Sequence, residues 1–250
     1  MGNAIEEIQR LEQSVWYDSV RRGLIKSGEL KKLIDLGVSG LTSNPTIFEK
    51  AIVGSTDYDA DLMDLVRLGK SSDKIYEALV MEDIRDVADL LRPIYEQTGG
   101  ADGFVSLEVN PNLAHDEEST VEEARRIFIA LDRPNVMMKV PATPEGVPAV
   151  RRLIGEGINV NVTLTFSLSA YRNVRQAYIT GLEDHERSGG DVTLIASVAS
   201  FFVSRVDTAV DSQLEERALN TGSDISSLVG KAAIANAKLA YSKLTMAPLV

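Results

Sequence analysis

Short apolar runs alternate along the chain with longer stretches whose apolar residues recur at helical spacing. Ile5, Ile8, Leu11 and Val15 share one helical face, and Val15-Trp16-Tyr17-Asp18 then reads as a strand ending in a carboxylate. Ser27 is placed to cap a helix carrying Leu30, Leu33 and Ile34, which Gly37 ends. Val38 to Thr42 is a strand running into Ser43-Asn44-Pro45, and residues 55–96 read as helical, with Ile75, Leu79, Ile84, Val87 and Leu91 on apolar faces. Phe104 to Pro111 is a further strand, followed by a helix over about 118–132 with Val121, Ala124, Phe128 and Leu131 inward. The run Asn135 to Thr143 is a strand, and a helix from Pro144 carries Val147, Val150, Leu153 and Ile154. Ile158 to Thr165 is a strand with a helix over 167–187 behind it. Val192 to Ser200 is the last strand, before helices at about 205–219 and 228–244.

Repeated strand–helix units predict a parallel sheet with right-handed crossovers. No Gly-x-Gly-x-x-Gly or Gly-x-x-x-x-Gly-Lys loop opens a helix, which argues against a nucleotide-binding doubly wound sheet. No linker or low-complexity segment divides residues 1–250. The fold expected is therefore one α/β domain, a (β/α) barrel of TIM type, whose active site forms from polar residues at the C-terminal ends of its strands. Six of the eight strands of such a barrel can be identified. Met246-Ala-Pro-Leu-Val250 has room only to begin a seventh.

The strand Asn135-Val-Met-Met-Lys139-Val-Pro-Ala-Thr143 sets one lysine at the end of an apolar run. An ammonium there either escapes to water or loses its proton, since burial lowers the pKa of an amine from its usual value of about 10.4. A free amine in a pocket is a nucleophile toward carbonyls and forms Schiff bases. Marking where a strand surfaces is the other use of a strand-end lysine.

Composition narrows the field. The 250 residues are 44% hydrophobic and 25% charged, ample material for a core. The net charge of −11 argues against a general role on nucleic acid or an anionic membrane, so a phosphate-bearing substrate needs local positive charge at the site. Without cysteine there are no disulfides, thiolate metal sites or cysteine nucleophiles, which fits a cytoplasmic protein. No apolar run approaches the roughly 20 residues of a membrane span. His115 and His185 sit in polar surroundings and read as solvated surface residues.

The residues gathered at strand ends are Asp18, Asn44, Glu108, Lys139, Asn161, Thr163 and Ser200. Each has a structural use when taken singly. Asp18 can cap the next segment, Asn44 can turn the chain before Pro45, and Asn161 and Thr163 can join a buried polar network. Together they supply what Schiff-base aldol chemistry requires.

At this point the chain resembles transaldolase. The resemblance rests on Leu41-Thr-Ser-Asn-Pro45, Lys139-Val-Pro-Ala-Thr143, Asn161-Val-Thr-Leu-Thr-Phe-Ser167 and Ser200-Phe-Phe-Val-Ser-Arg205-Val-Asp207, running in order from about Ser14 to about Tyr241. Trp16-Tyr17-Asp18 and the long helical insertion after the second strand resemble the bacterial subfamily of longer chains. The resemblance implies transfer of a dihydroxyacetone unit from fructose 6-phosphate or sedoheptulose 7-phosphate to an aldose phosphate, a pentose phosphate pathway reaction. It implies that Lys139 forms the imine, that Asp18 is the base for carbon–carbon cleavage, and that Glu108 and Thr163 hold a water. It also implies that Asn44 and Asn161 bind the dihydroxyacetone hydroxyls and that Ser200 and Arg205 face phosphate. A guanidinium binds phosphate oxygens as a bidentate fork, which gives Arg205 a physical case of its own; a place on the surface of the next helix is its alternative.

No cofactor is expected, because the protonated imine nitrogen is the electron sink. Asp18 and Glu108 could join other oxygens around Mg²⁺, but a lysine amine in the same mouth disfavours a cation. A sheet of six strands exposes two unpaired edges, which predicts self-association or a chain that is part of a longer protein. An aldolase that only makes or cleaves fructose 6-phosphate shares the lysine. A non-catalytic sugar-phosphate binder or scaffold is the alternative from another class.

Overall fold

The computed structural model describes residues 3–222 and 224–245. In chain order the elements are α1 (Ala4–Gln9), β1 (Val15–Tyr17), α2 (Arg22–Lys26), α3 (Glu29–Asp35), β2 (Val38–Thr42), α4 (Pro45–Val53), α5 (Asp59–Arg67), α6 (Ser72–Gln97), β3 (Val105–Glu108), α7 (Glu117–Leu131), β4 (Val136–Pro141), α8 (Gly146–Gly155), β5 (Val160–Thr165), α9 (Leu168–Arg187), β6 (Ser197–Phe201), α10 (Ser204–Thr221) and α11 (Ala232–Thr245). The six strands are all parallel and stand in the order β1-β2-β3-β4-β5-β6. They curl into a half-barrel with helices around it, which is the α/β architecture of TIM type expected from the alternating pattern. The proposed start of a seventh strand, Met246–Val250, lies outside the described residues. No helix among the described residues is long and apolar enough to cross a membrane.

The core lies between the outer face of the sheet and the helices. Val80, Ile84, Val87 and Leu91 of α6, Val121, Ala124 and Leu131 of α7, and Ala149, Val150, Leu153 and Ile154 of α8 pack on Val105, Val136, Met138, Val140, Val160 and Val162. Two buried asparagines fix the N-terminal ends of the central strands. Asn135 Nδ2 donates to Ala88 O (2.8 Å) and Gly103 O (2.9 Å). Asn159 Nδ2 donates to Pro134 O at 2.8 Å, and its Oδ1 accepts from Ala196 N–H at 2.8 Å. Asn159 therefore ties the approach to β4 to the approach to β6 and sets the register between them. On the inner face the indole of Trp16 lies over Gly40, where a Cβ would fall 2.4 Å from the ring. Trp16 Nε1 donates to Asp102 at 3.1 Å.

The structure corrects several expected boundaries. Residues 55–96 are two helices parted by a turn in which Gly69 takes a φ of +68°, and α4 precedes them from Pro45. Val192–Leu194 is a 3-10 turn, held by Asp191 accepting from Thr193 N–H at 2.9 Å, so β6 starts only at Ser197. Gly28, not Ser27, is the N-cap of α3, because its φ of +77° makes the turn; the Ser27 hydroxyl still accepts from Glu29 N–H at 3.3 Å. Leu11 falls past the end of α1 and is exposed. His185 is half-buried, its Nδ1 within 3.1 Å of Gly155 O, so it packs the C-terminal part of α9 on the end of α8.

Removing the Asn159 side chain leaves a buried carbonyl and an amide N–H without partners. Asn159→Ala is expected to lower stability by about 2–4 kcal/mol, read by urea unfolding. A loss within 0.5 kcal/mol, the usual range of surface substitutions, would show that the register does not depend on this side chain.

Candidate active site

One row of the sheet organises the inner face. Glu108, Lys139 and Asn161 are register partners on β3, β4 and β5, and neighbours in register on parallel strands point to the same side. Lys139 is not at a strand end, as expected from the sequence, but inside β4, which continues through Val140 and Pro141. All six residues of β4 are buried. Its Nζ donates to Ser43 O at 3.1 Å and lies 3.6 Å from Glu108 Oε2. Burial pushes the Glu108 carboxyl above its ordinary value, and the neighbouring Lys139 only partly offsets this.

The Thr42-Ser43-Asn44-Pro45 turn serves four neighbours at once. Thr42 Oγ1 donates to Asp18 Oδ1, which holds that exposed carboxylate at the end of β1. The Ser43 hydroxyl donates to Ser106 O at 2.7 Å, while its carbonyl takes Lys139. Asn44 Oδ1 accepts from Ile47 N–H at 3.0 Å and caps α4, with Pro45 at the first helical position. The structural use allowed for Asn44, turning the chain before Pro45, is realised as this helix cap, and its amide nitrogen remains free of that bond.

A second chain of polar groups runs along the row. Asn161 Nδ2 donates to Ser106 Oγ at 3.0 Å, and Ser200 Oγ donates to Asn161 Oδ1 at 2.8 Å. Asn161 is fully buried, so these bonds fix both ends of its amide. Thr163 is buried on the same face, in register with Pro141. Just beyond it Leu164 has a φ of +59° and the pairing of β5 with β6 shifts register, a bulge at the edge of the site.

Arg205 stands apart from this cluster. It is exposed near the start of α10, its guanidinium 4.9 Å from the Phe202 ring centroid, and Phe202 lies 5.0 Å from Phe166. No side chain caps α10, and the N–H groups of Val206 and Asp207 both donate to Val203 O at 3.1 Å.

Three participants were missed from the sequence. Ser106 bridges the turn and Asn161, and it was hidden in the strand as an ordinary small residue. Thr143 donates to Ala114 O at 2.6 Å and accepts from Gly146 N–H at 2.9 Å, so it docks the start of α8 at the end of β4. Tyr76 of α6 lines a cavity of about 360 Å³ with Glu108, Pro45 and Asn110, and burial and the charge of Glu108 raise its hydroxyl to about 12.

A buried amine lies beside a carboxylate, with hydroxyls and amides around it on the inner face of a parallel α/β sheet, the groups that Schiff-base aldol chemistry requires. The sequence model of the transaldolase/fructose-6-phosphate aldolase family matches residues 15–247, and the chain belongs to that family. It is 50% identical over 247 residues to the transaldolase of Trichodesmium erythraeum, covering 96% of this chain and 65% of that protein. Transaldolase 2 of a Nostoc species is 49% identical over 248 residues, with the same coverage of both. The transaldolase of Saccharopolyspora erythraea is 51% identical over 239 residues, 95% of this chain and 63% of that protein. The chain thus spans less than two thirds of the length of these relatives.

The Glu108 shift has a definite sign. A carboxyl whose folded pKa is raised stabilises the fold below the unfolded value, here the ordinary 4.5, and loses that contribution as pH rises through the folded value. Glu108→Gln has no such loss. In urea unfolding at a series of pH values upward from about 4, the stability difference is expected to move in favour of Glu108→Gln as pH rises. Movement the other way would mean that the pair with Lys139 outweighs burial.

Proposed function

We propose that this chain is a transaldolase, transferring a dihydroxyacetone unit between a ketose phosphate and an aldose phosphate in the pentose phosphate pathway. The observation that carries the proposal is Lys139, buried inside a strand with its Nζ 3.6 Å from a carboxylate whose proton affinity is raised. A buried amine has no purpose in a simple binder that could not be met more cheaply by an apolar residue.

In this reading Lys139 Nζ adds to the ketone carbon of fructose 6-phosphate or sedoheptulose 7-phosphate. Glu108, with Thr163, holds the water that carries protons during addition and dehydration, and loss of water gives the protonated imine. Asp18 takes the proton from the hydroxyl on the far carbon of the scissile bond, which becomes the aldehyde of the departing aldose phosphate. That bond breaks, its electrons pass into the iminium, and an aldose phosphate leaves. The resulting enamine attacks a second aldose phosphate, and hydrolysis returns the free amine. Asn161 and the free amide nitrogen of Asn44 bind the dihydroxyacetone hydroxyls. Ser200, Arg205 and the N-terminus of α10 meet the phosphate, a place where local dipole and guanidinium oppose the net charge of −11. An aldolase confined to fructose 6-phosphate uses the same lysine, and the family spans both activities.

Borohydride reduction in the presence of fructose 6-phosphate, followed by digestion and mass spectrometry, is expected to leave a three-carbon adduct on the peptide containing Lys139, and none in Lys139→Met. No adduct on the folded wild-type protein would turn the reading to a sugar-phosphate-binding scaffold. Turnover that rises with a second aldose phosphate separates transfer from simple cleavage.

We further place the protein in the cytoplasm and propose self-association through the outer edges of β1 and β6, which have no strand partner among the described residues. Sedimentation velocity is expected to show a dimer or larger species. A stable, monodisperse monomer would overturn the association.

A further inference from the structure

Arg22 is a buried charged side chain outside the site, 1% exposed. Its Nε donates to Asp83 Oδ1 at 2.8 Å, and one terminal nitrogen donates to Glu82 at 2.8 Å. The other terminal nitrogen binds Asp61, and the guanidinium lies 4.6 Å from the Tyr58 ring centroid. The backbone is held as well. Arg22 N–H donates to Tyr58 Oη at 3.0 Å, and Tyr58 Oη donates to Asp83 Oδ2 at 2.7 Å. The two oxygens of Asp83 therefore fix the side chain directly and the main chain through Tyr58.

This investment is large for the element it anchors. Arg22 opens α2, a helix of five residues, too short to be stable alone. The strand before it, β1, has three residues and lies at the sheet edge. Between them runs the segment 18–21, whose first residue is Asp18. At one end Asp18 is held by the Thr42 hydroxyl; at the other, fully buried Val20 and then Arg22 fasten the chain to α5 and α6. An apolar cluster would stabilise α2 as well as buried charges do, but would not fix its backbone position through directional bonds.

We propose that Arg22, Tyr58 and Asp83 form a positioning network for the segment carrying Asp18, setting that carboxylate for the cleavage step. The inference rests on the transaldolase reading, in which Asp18 acts after the imine has formed. Because Lys139, Glu108 and Asn161 sit on other strands, loss of the network leaves imine formation intact and slows carbon–carbon cleavage.

Tyr58→Phe deletes the single hydroxyl that joins Arg22 N–H to Asp83. Two measurements test it. Hydrogen exchange on the free protein is expected to speed up across residues 18–22 while β3, β4 and β5 keep their protection; exchange unchanged in that segment overturns the proposal whatever the protein catalyses. In single-turnover kinetics with fructose 6-phosphate, trapping of the Lys139 imine is expected to match wild type, while release of the aldose phosphate falls roughly 10- to 100-fold. In an Asp18→Asn background the same substitution is expected to cost nothing further, since one residue acts through the other. An equal loss in both backgrounds, or slowed imine formation, overturns the proposal. Should wild type form no imine, the functional reading fails while the exchange measurement still decides the role of the network. If Tyr58→Phe does not fold, Glu82→Gln at the exposed rim of the network serves the same comparisons.

Discussion

A lysine nitrogen inside a parallel sheet must find acceptors without leaving the sheet, and the site follows from that demand. Val136, Met137, Met138 and Val140 offer Lys139 none. The acceptors come from the neighbouring strand, as Glu108, and from the one beyond it, as the Ser43 carbonyl. Strands two apart in a flat sheet lie about 9.5 Å from each other. The curl of the half-barrel brings the end of β2 over β3 and within reach of Lys139. The same turn must then be rigid, which its bonds to Ser106 and its cap on α4 achieve.

The alternating apolar pattern made the strand–helix repeat and the identity of the strands legible, because the four central strands, β2 to β5, bury their outer faces under helices whose apolar spacing is equally plain. The row Glu108–Lys139–Asn161 was not legible as a row. Register depends on tertiary fasteners such as Asn135 and Asn159, and an asparagine ahead of an apolar run reads locally as a turn. Their repetition, Asn135-Val136 and Asn159-Val160, was the available signal. Lys139 was read as the end of the apolar run because its charge interrupts it, yet β4 continues through Val140 and Pro141. His185 was misjudged for a similar reason: its polar neighbours in sequence face water, while the ring packs over Gly157 and Gly190.

Charge in this molecule is arranged locally rather than globally. Most surface guanidinium groups of α7 and α8 are committed to carboxylates, as in Arg125 with Glu156, Arg126 with Glu77, and Arg152 with Glu117 and Glu118. Arg205 instead rests on the face of Phe202, which orients the fork without neutralising it. On the proposed function, this holds a cationic group at the rim where the substrates would carry phosphate.

The strand order carries a consequence for biosynthesis. Every strand pairs with the one made immediately before it, so the sheet can grow at one edge as the chain leaves the ribosome. Loop closure between successive described strands spans a single crossover. The acceptors for Lys139, on β2 and β3, are already in place when β4 is synthesised. Its amine is sheltered at birth, and the asparagine that completes the row arrives with the next strand.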